Sequence, residues 1–269
     1  MAKIVGTAGR DTLTGTSGDD FMFGLGGADT LKGGAGNDFV RGGLGDNTLD
    51  GGDGDDKLIG YHGDELLLGG AGNDRLYGGD GYGDDRMFGG AGDDQLVGQE
   101  GVDVMDGGAG RDTVSWYKNY DAAVVADLAA GTGTSAGETD RFTGMENLEG
   151  TYHDDVLLGD GLANTIDGVF GDDRLDGRGG ADTLIGKIGD DELVGGGGDD
   201  SVHGGAGDDT AVFAGRRADY RIGRGEGPAW TVEDLRPSRG GDDGTDTVAF
   251  VEHLRFADVV VDVADLSAG

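Results

Sequence analysis

The sequence predicts an all-β solenoid of short stacked coils, on three observations. Glycine returns every nine residues, aspartate outnumbers glutamate 45 to 9, and one apolar residue holds a fixed place in each nine-residue block. Of 269 residues, 62 are Gly, 2 are Pro and none is Cys, and 54 acidic against 20 basic side chains give a net charge of −34. So much Gly without Pro or a Gly-X-Y triplet excludes collagen. An apolar share of 35% is thin for an ordinary core and by composition alone reads as disordered. The acid excess argues against nucleic acid, whose counterions only Lys and Arg displace, and against membrane insertion or an anionic membrane surface. Missing Cys removes disulfides and thiolate metal sites. No apolar run reaches 18 residues, and Met1-Ala-Lys-Ile-Val-Gly6 lacks the apolar stretch of a cleaved export signal, so export is expected by another route.

Either acid would serve solubility, but Asp suits turns and Glu suits helices. A short carboxylate on a Gly-rich turn suits a hard cation such as Ca²⁺, which takes about six to eight oxygens from carboxylates and carbonyls. Composition therefore predicts metal-dependent folding.

Twelve blocks begin at Gly6, Gly15, Gly24, Gly33, Gly42, Gly51, Gly60, Gly69, Gly78 (eleven residues long), Gly89, Gly98 and Gly107; seven more begin at Gly150, Gly159, Gly168, Gly177, Gly186, Gly195 and Gly204. Position one is always Gly. Position four is Gly except at His153 and Leu162, and position six is Asp except at Asn47, Glu65 and Asn164. Position eight is apolar in every block, from Leu13 to Ala211. Gly at one and four is expected to supply positive φ and close approach, so that six residues curl into a turn. The last three then form a short strand whose middle side chain points inward. One apolar group per block cannot hold a strand alone, but stacked coils share a continuous stripe.

Blocks such as Gly33-Gly34-Ala35-Gly36-Asn37-Asp38-Phe39-Val40-Arg41 and Gly69-Gly70-Ala71-Gly72-Asn73-Asp74-Arg75-Leu76-Tyr77 resemble the Gly-Gly-x-Gly-x-Asp-x-apolar-x nonapeptide of RTX (repeats-in-toxin) proteins. The resemblance implies a parallel β-roll with two nonapeptides per coil, and Ca²⁺ between the turns of repeats i and i+2. The ligands it implies are the position-six side chains Asp11, Asp20, Asp29, Asp38, Asn47, Asp56, Glu65, Asp74, Asp85, Asp94, Asp103 and Asp112, then Asp155, Asn164, Asp173, Asp182, Asp191, Asp200 and Asp209. Carbonyls of Gly34, Gly36, Gly52, Gly54, Gly70, Gly72, Gly90, Gly92, Gly108, Gly110, Gly196, Gly198, Gly205 and Gly207 would complete the shells. About ten to fifteen ions would nearly cancel the charge of −34. Without them, stacked carboxylates repel and the chain is expected to be largely disordered. Asn47, Glu65, Asn164, His153 and the insertion at Gly81-Tyr82 are expected to mark weaker sites.

These signals divide the chain into a first roll (1–115), a connector or cap (116–149), a second roll (150–212) and a C-terminal β cap (213–269). The connector, with Ala122-Ala123-Val124-Val125-Ala126-Asp127-Leu128, is expected to be a strand or hairpin covering a roll end. Tyr220-Arg221-Ile222, Trp230-Thr231-Val232 and Thr247-Val248-Ala249-Phe250-Val251 read as strands. The end of the chain, with Asp258-Val259-Val260-Val261, resembles RTX tails read by type I exporters.

Catalytic constellations fail. There is no His-Glu-x-x-His, and the four His are dispersed; Gly133-Thr134-Ser135-Ala136-Gly137 matches Gly-x-Ser-x-Gly but lacks the strand-turn-helix context of a nucleophile. Aromatic clusters (Trp116, Tyr117, Tyr120; Tyr61, Tyr77, Tyr82) are expected to pack caps and surfaces. The reading is therefore a non-catalytic, secreted, calcium-binding RTX protein that folds on meeting Ca²⁺ outside the cell, with the exporter as a partner. One alternative is an extracellular module binding polysaccharide, a cell surface or a matrix. Another is the C-terminal part of a larger RTX enzyme such as a protease, lipase or epimerase.

Overall fold

The computed structural model describes residues 1–81, 83–117, 122–236 and 243–266; Tyr82 and Tyr120, named above, lie outside them. Two compact units form, one from residues 1–119 and 131–145, the other from 120–130 and 146–269.

In the first unit, Lys3–Val5, Phe21–Gly26, Phe39–Leu44, Lys57–His62, Arg75–Gly79, Gln95–Gln99 and Thr113–Ser115 make one sheet. Thr12–Thr14, Thr30–Ala35, Thr48–Asp53, Leu66–Ala71, Arg86–Ala91 and Val104–Ala109 make a second. Neighbours within a sheet are parallel and 18 residues apart, as in Met22↔Val40 and Leu31↔Leu49, or 20 apart across the insertion, as in Leu67↔Met87. Two nonapeptides thus complete one coil, the parallel β-roll expected. Glu138–Thr143 continues the second sheet in parallel, with Met105↔Phe142, and Thr132–Ser135 pairs antiparallel to it. The hairpin between them turns on Ala136 (φ 52) and Gly137 (φ 90), the two left-handed residues of a type I′ turn. The Gly-x-Ser-x-Gly match is this hairpin.

In the second unit, Asn147–Glu149, Thr165–Asp167, Thr183–Ile188 and Ser201–Ala206 form one parallel ladder. Val124–Asp127, Val156–Leu158, Arg174–Asp176, Glu192–Val194 and Thr210–Val212 form the other. Thr245–Ala249 and His253–Arg255 extend both in parallel. Trp230–Asp234, Tyr220–Arg224 and Val260–Asp262 then pair antiparallel. Antiparallel strands end the stack because they break the 18-residue register that another coil would follow. Phe213 stacks on Phe256 at 5.3 Å and Tyr220 packs against both, giving the cap an aromatic core.

Position eight fills the roll interior: every such residue but Leu13, in an outermost coil, is buried. Two details depart from expectation. Many strands run six residues, through positions seven to three, instead of three. Positive φ falls on positions two and four, not one and four, and at position two it is held even by Leu25, Tyr61, Gln99, Val169, Arg178 and Lys187. Position one needs Gly for space instead: a Cβ on Gly51 would lie 2.6 Å from the carbonyl oxygen of Gly69 and would strike Asp56.

Candidate metal centre

Position six carries a ladder along each edge of the rolls. From the second coil of each roll onward, the Oδ1 atom of a position-six Asp accepts the backbone N–H of position six one coil earlier: Asp20 to Asp38 at 2.7 Å, Asp38 to Asp56 at 2.7 Å, Asp56 to Asp74 at 2.8 Å. The second unit repeats it, from Asp155 to Asp173 at 2.8 Å and Asp173 to Asp191 at 2.9 Å. One oxygen is therefore committed to the fold. The other, Oδ2, is buried and meets no hydrogen-bond donor at Asp29, Asp38, Asp56, Asp74, Asp94, Asp103, Asp173, Asp182, Asp191, Asp200 and Asp209.

A buried carboxylate oxygen without a partner costs several kcal/mol, and the acidities register it. Burial pushes Asp56, Asp94 and Asp191 up to about 6, Asp74 and Asp182 to about 7, and Asp103 and Asp173 to about 8. The ladder N–H that each accepts offsets only part of this. What lies near Oδ2 is more oxygen. The space a position-one Cβ would fill is bounded by Oδ2 of the same block and by the position-one carbonyl two blocks on, as at Gly89 with Gly107 O and at Gly177 with Gly195 O. An oxygen-lined cradle with a buried acid and no donor fits a hard divalent cation such as Ca²⁺. Among the described residues no three Asp, Glu or His side chains converge, so such an ion would rely on one acid per turn and on carbonyls. Carbonyls at positions two and four stack along the coil instead, Gly34 O facing Gly52 and Gly36 O facing Gly54.

Four turns are built differently. In the blocks at Gly6, Gly15 and Gly150, position two is Thr, and its N–H reaches Oδ2 of Asp11, Asp20 and Asp155 at 2.6 Å in each case. The Thr hydroxyls add bonds of 3.0, 2.8 and 2.9 Å to the same carboxylates. In the block at Gly159, Asp160 N–H donates to Oδ1 of Asn164 at 2.9 Å. None of these turns uses positive φ at position two or four. That is why His153 and Leu162 can stand where Gly is otherwise required. The amides of Ala2 and Thr16 hold the Asp20 carboxyl below its usual range; at Asp155 burial outweighs the same kind of bonds and the carboxyl is raised.

The other departures have local accounts. Asn47 turns its amide to Gly45 O at 2.6 Å, placing a donor where other turns place an orphan oxygen. Glu65 reaches back to the Asn47 N–H at 3.1 Å, and burial pushes it up to about 8. The insertion leaves the ladder intact, Glu65 N–H meeting Asp85 at 2.8 Å across 20 residues.

Sequence reasoning confined to the nonapeptides missed three acids with the same placement. Asp140 accepts the Asp103 N–H at 3.0 Å, Asp246 the Asp200 N–H at 2.9 Å, and Glu252 the Asp209 N–H at 2.9 Å. Burial pushes Asp140 to about 6 and Asp246 to about 8. Trp116 Nε1 occupies the second oxygen of Asp140 at 3.1 Å. The signal was present: Asp140-Arg141-Phe142, Asp246-Thr247-Val248 and Glu252-His253-Leu254 repeat the acid-x-apolar spacing of positions six to eight. Also missed was an outer ladder at position five, where Asp19, Asn37, Asp55 and Asn73 each accept the N–H one coil on, at 2.8 to 3.0 Å.

No curated protein matches the chain. The profile of the RTX calcium-binding nonapeptide repeat, in its four-copy form, matches residues 3–31, 23–58, 59–81, 81–114, 149–184, 158–193 and 176–211. These segments cover well over half of the sequence. The chain belongs to the RTX family of calcium-binding nonapeptide repeats, proteins that take up Ca²⁺ in multiple copies.

Proposed function

We propose that this protein is a secreted, non-catalytic RTX β-roll whose folding is switched on by Ca²⁺ outside the cell. The observation that carries the reading is the row of buried, donor-less Oδ2 atoms, since a bound cation supplies what those ionised oxygens lack. The acids with an orphan Oδ2, from Asp29 to Asp209, are the ligating side chains, and position-one carbonyls of the next coil join them. Asp85 is a ligand of the same row, with Glu65 and Asn47 as weaker members. The Thr-closed turns at Asp11, Asp20 and Asp155, and the Asn164 turn, are ion-independent starts of each roll. Leaving these four out reduces the expected load to about eleven ions. Export in the unfolded, calcium-poor state through a type I route fits a chain that meets its folding ligand only outside.

Circular dichroism during a Ca²⁺ titration of chelated protein tests this. A β spectrum should develop with Ca²⁺ and not with Mg²⁺, which is smaller and dehydrates reluctantly. A chelated sample that keeps the same spectrum and melting temperature would falsify it. Ion counting on variants tests the assignment: Asp56→Asn should lower the bound Ca²⁺ by about one or two ions, because each turn borders two gaps. Asp20→Asn should leave the count unchanged.

A further inference from the structure

The outward side of the sheet beginning at Lys3–Val5 differs from the rest of this acidic chain. Strand register stacks Lys3, Phe21, Phe39, Lys57 and Arg75 in one outer row, and sets Phe23, Arg41 and Tyr77 in the next. Neither row contains an acid across these five strands, although the chain carries 54. The rings form a ladder, with Phe39 6.0 Å from Phe21 and 5.9 Å from Phe23. Cations lie over rings beside it: the Arg41 guanidinium is 4.5 Å from the Tyr61 centroid and the Lys57 ammonium 5.0 Å from that of Tyr77. Between Phe23, Arg41 and Tyr61 a shallow cleft of about 250 Å³ runs over the glycine floor at Gly42 and Gly43. Phe21, Leu25 and Leu44 keep 42%, 51% and 56% of their surface exposed. The fold does not require Phe21, Phe39 and Lys57, since the equivalent positions of the opposite sheet are Thr12, Thr30 and Thr48, in a row that continues through Leu66 and Arg86.

We propose that this face binds an extended acidic polysaccharide of the uronate type. Exposed rings present flat apolar faces to the C–H faces of pyranoses, while Arg41, Lys57 and Arg75 offer charge to a carboxylate on each sugar. Parallel strands lie about 4.8 Å apart, close to the rise of one pyranose in an extended chain, so successive sugars would meet successive coils. Charge complementarity selects an anion here because both rows of this strip are free of acid and together carry Lys3, Arg41, Lys57 and Arg75. An acidic peptide could satisfy the cations but has no flat apolar face for Phe21 and Phe39. The surface exists only on the folded roll, so the inference rests on the calcium-dependent folding proposed above.

The test uses the full chain in Ca²⁺ with hexagalacturonate, too short to gel, as probe, and cellohexaose and poly-aspartate as comparators. Calorimetry should show hexagalacturonate binding at least about tenfold more tightly than either comparator, with affinity falling as salt rises. Phe39→Thr and Arg41→Gln should each weaken it by about tenfold or more. Lys32→Gln on the opposite sheet should leave it unchanged, and any bridging of carboxylates by Ca²⁺ adds equally to every variant and cancels from the comparison. Equal binding by Phe39→Thr or Arg41→Gln, no binding at all, or preference for poly-aspartate overturns the proposal. Circular dichroism of the same samples separates this failure from the earlier one: a chain that gains no β spectrum with Ca²⁺ overturns the folding reading instead.

Discussion

A position-six aspartate has two oxygens with separate employment. Oδ1 ties one coil to the next through a backbone N–H, and Oδ2 is left for a partner the chain does not supply. The split sets the pH behaviour. Acids at about 6 to 8 in the roll, such as Asp56, Asp74 and Asp103, sit near 4 in an unfolded chain. The folded form therefore binds more protons across that interval, and metal-free stability is present at low pH and lost as pH rises from about 4 through 8. Chelated protein should gain β signal on acidification from pH 8 to 4. Calcium requires the deprotonated acids, so its addition at pH 7 should release protons in a pH-stat, and its affinity should rise with pH. No proton release would sink the assignment of these oxygens as ligands. The closed turns behave otherwise, because Thr16 already serves Asp20. Thr16→Val removes the hydroxyl's bonds to Asp20 and Gly18 and should cost about 1–3 kcal/mol of stability in the Ca²⁺ form, with no change in bound ions.

At the scale of the coil, each nonapeptide strand turns its position-eight side chain inward. Where Thr closes the turn, as after Thr12–Thr14 and Asn147–Glu149, the strand stops at three residues; turns with positive φ at positions two and four follow six-residue strands such as Thr48–Asp53 and also three-residue ones such as Arg174–Asp176. The core is a single file of aliphatics, so each one is costly to truncate. Leu58→Ala and Leu175→Ala, both at fully buried positions, should each destabilise the Ca²⁺-loaded protein by about 2–5 kcal/mol in chemical denaturation. Leu13→Ala, in a partly exposed outer coil, should cost clearly less. Equal losses at all three would contradict an ordered interior stripe.

At the scale of the molecule, the excess of acid is what would make the proposed switch. In the proposed reading, a chain of net −34 with one core residue per nonapeptide needs counter-ions held inside to offset chain entropy and self-repulsion. Chelation should therefore unfold the roll cooperatively within each unit, and trivalent ions of similar size that accept oxygen ligands are expected to substitute for Ca²⁺ in the dichroism assay.

Much of this is legible in the order of the residues alone. Period nine, Gly at position one, Asp at six and an apolar residue at eight dictate the coil, its inward face and the kind of ion, because each position is a local steric or chemical demand repeated nineteen times. Tertiary structure decided which acids are left wanting. Whether Oδ2 of Asp20 or of Asp38 has a donor depends on the φ of position two and on the coil above. Asp140 and Asp246 take position-six roles because a neighbouring strand, not their own segment, sets the ladder. The basic aromatic strip likewise appears only when residues 18 apart are stacked side by side, since a side chain's neighbours across a sheet are set by register and not by the order of the chain.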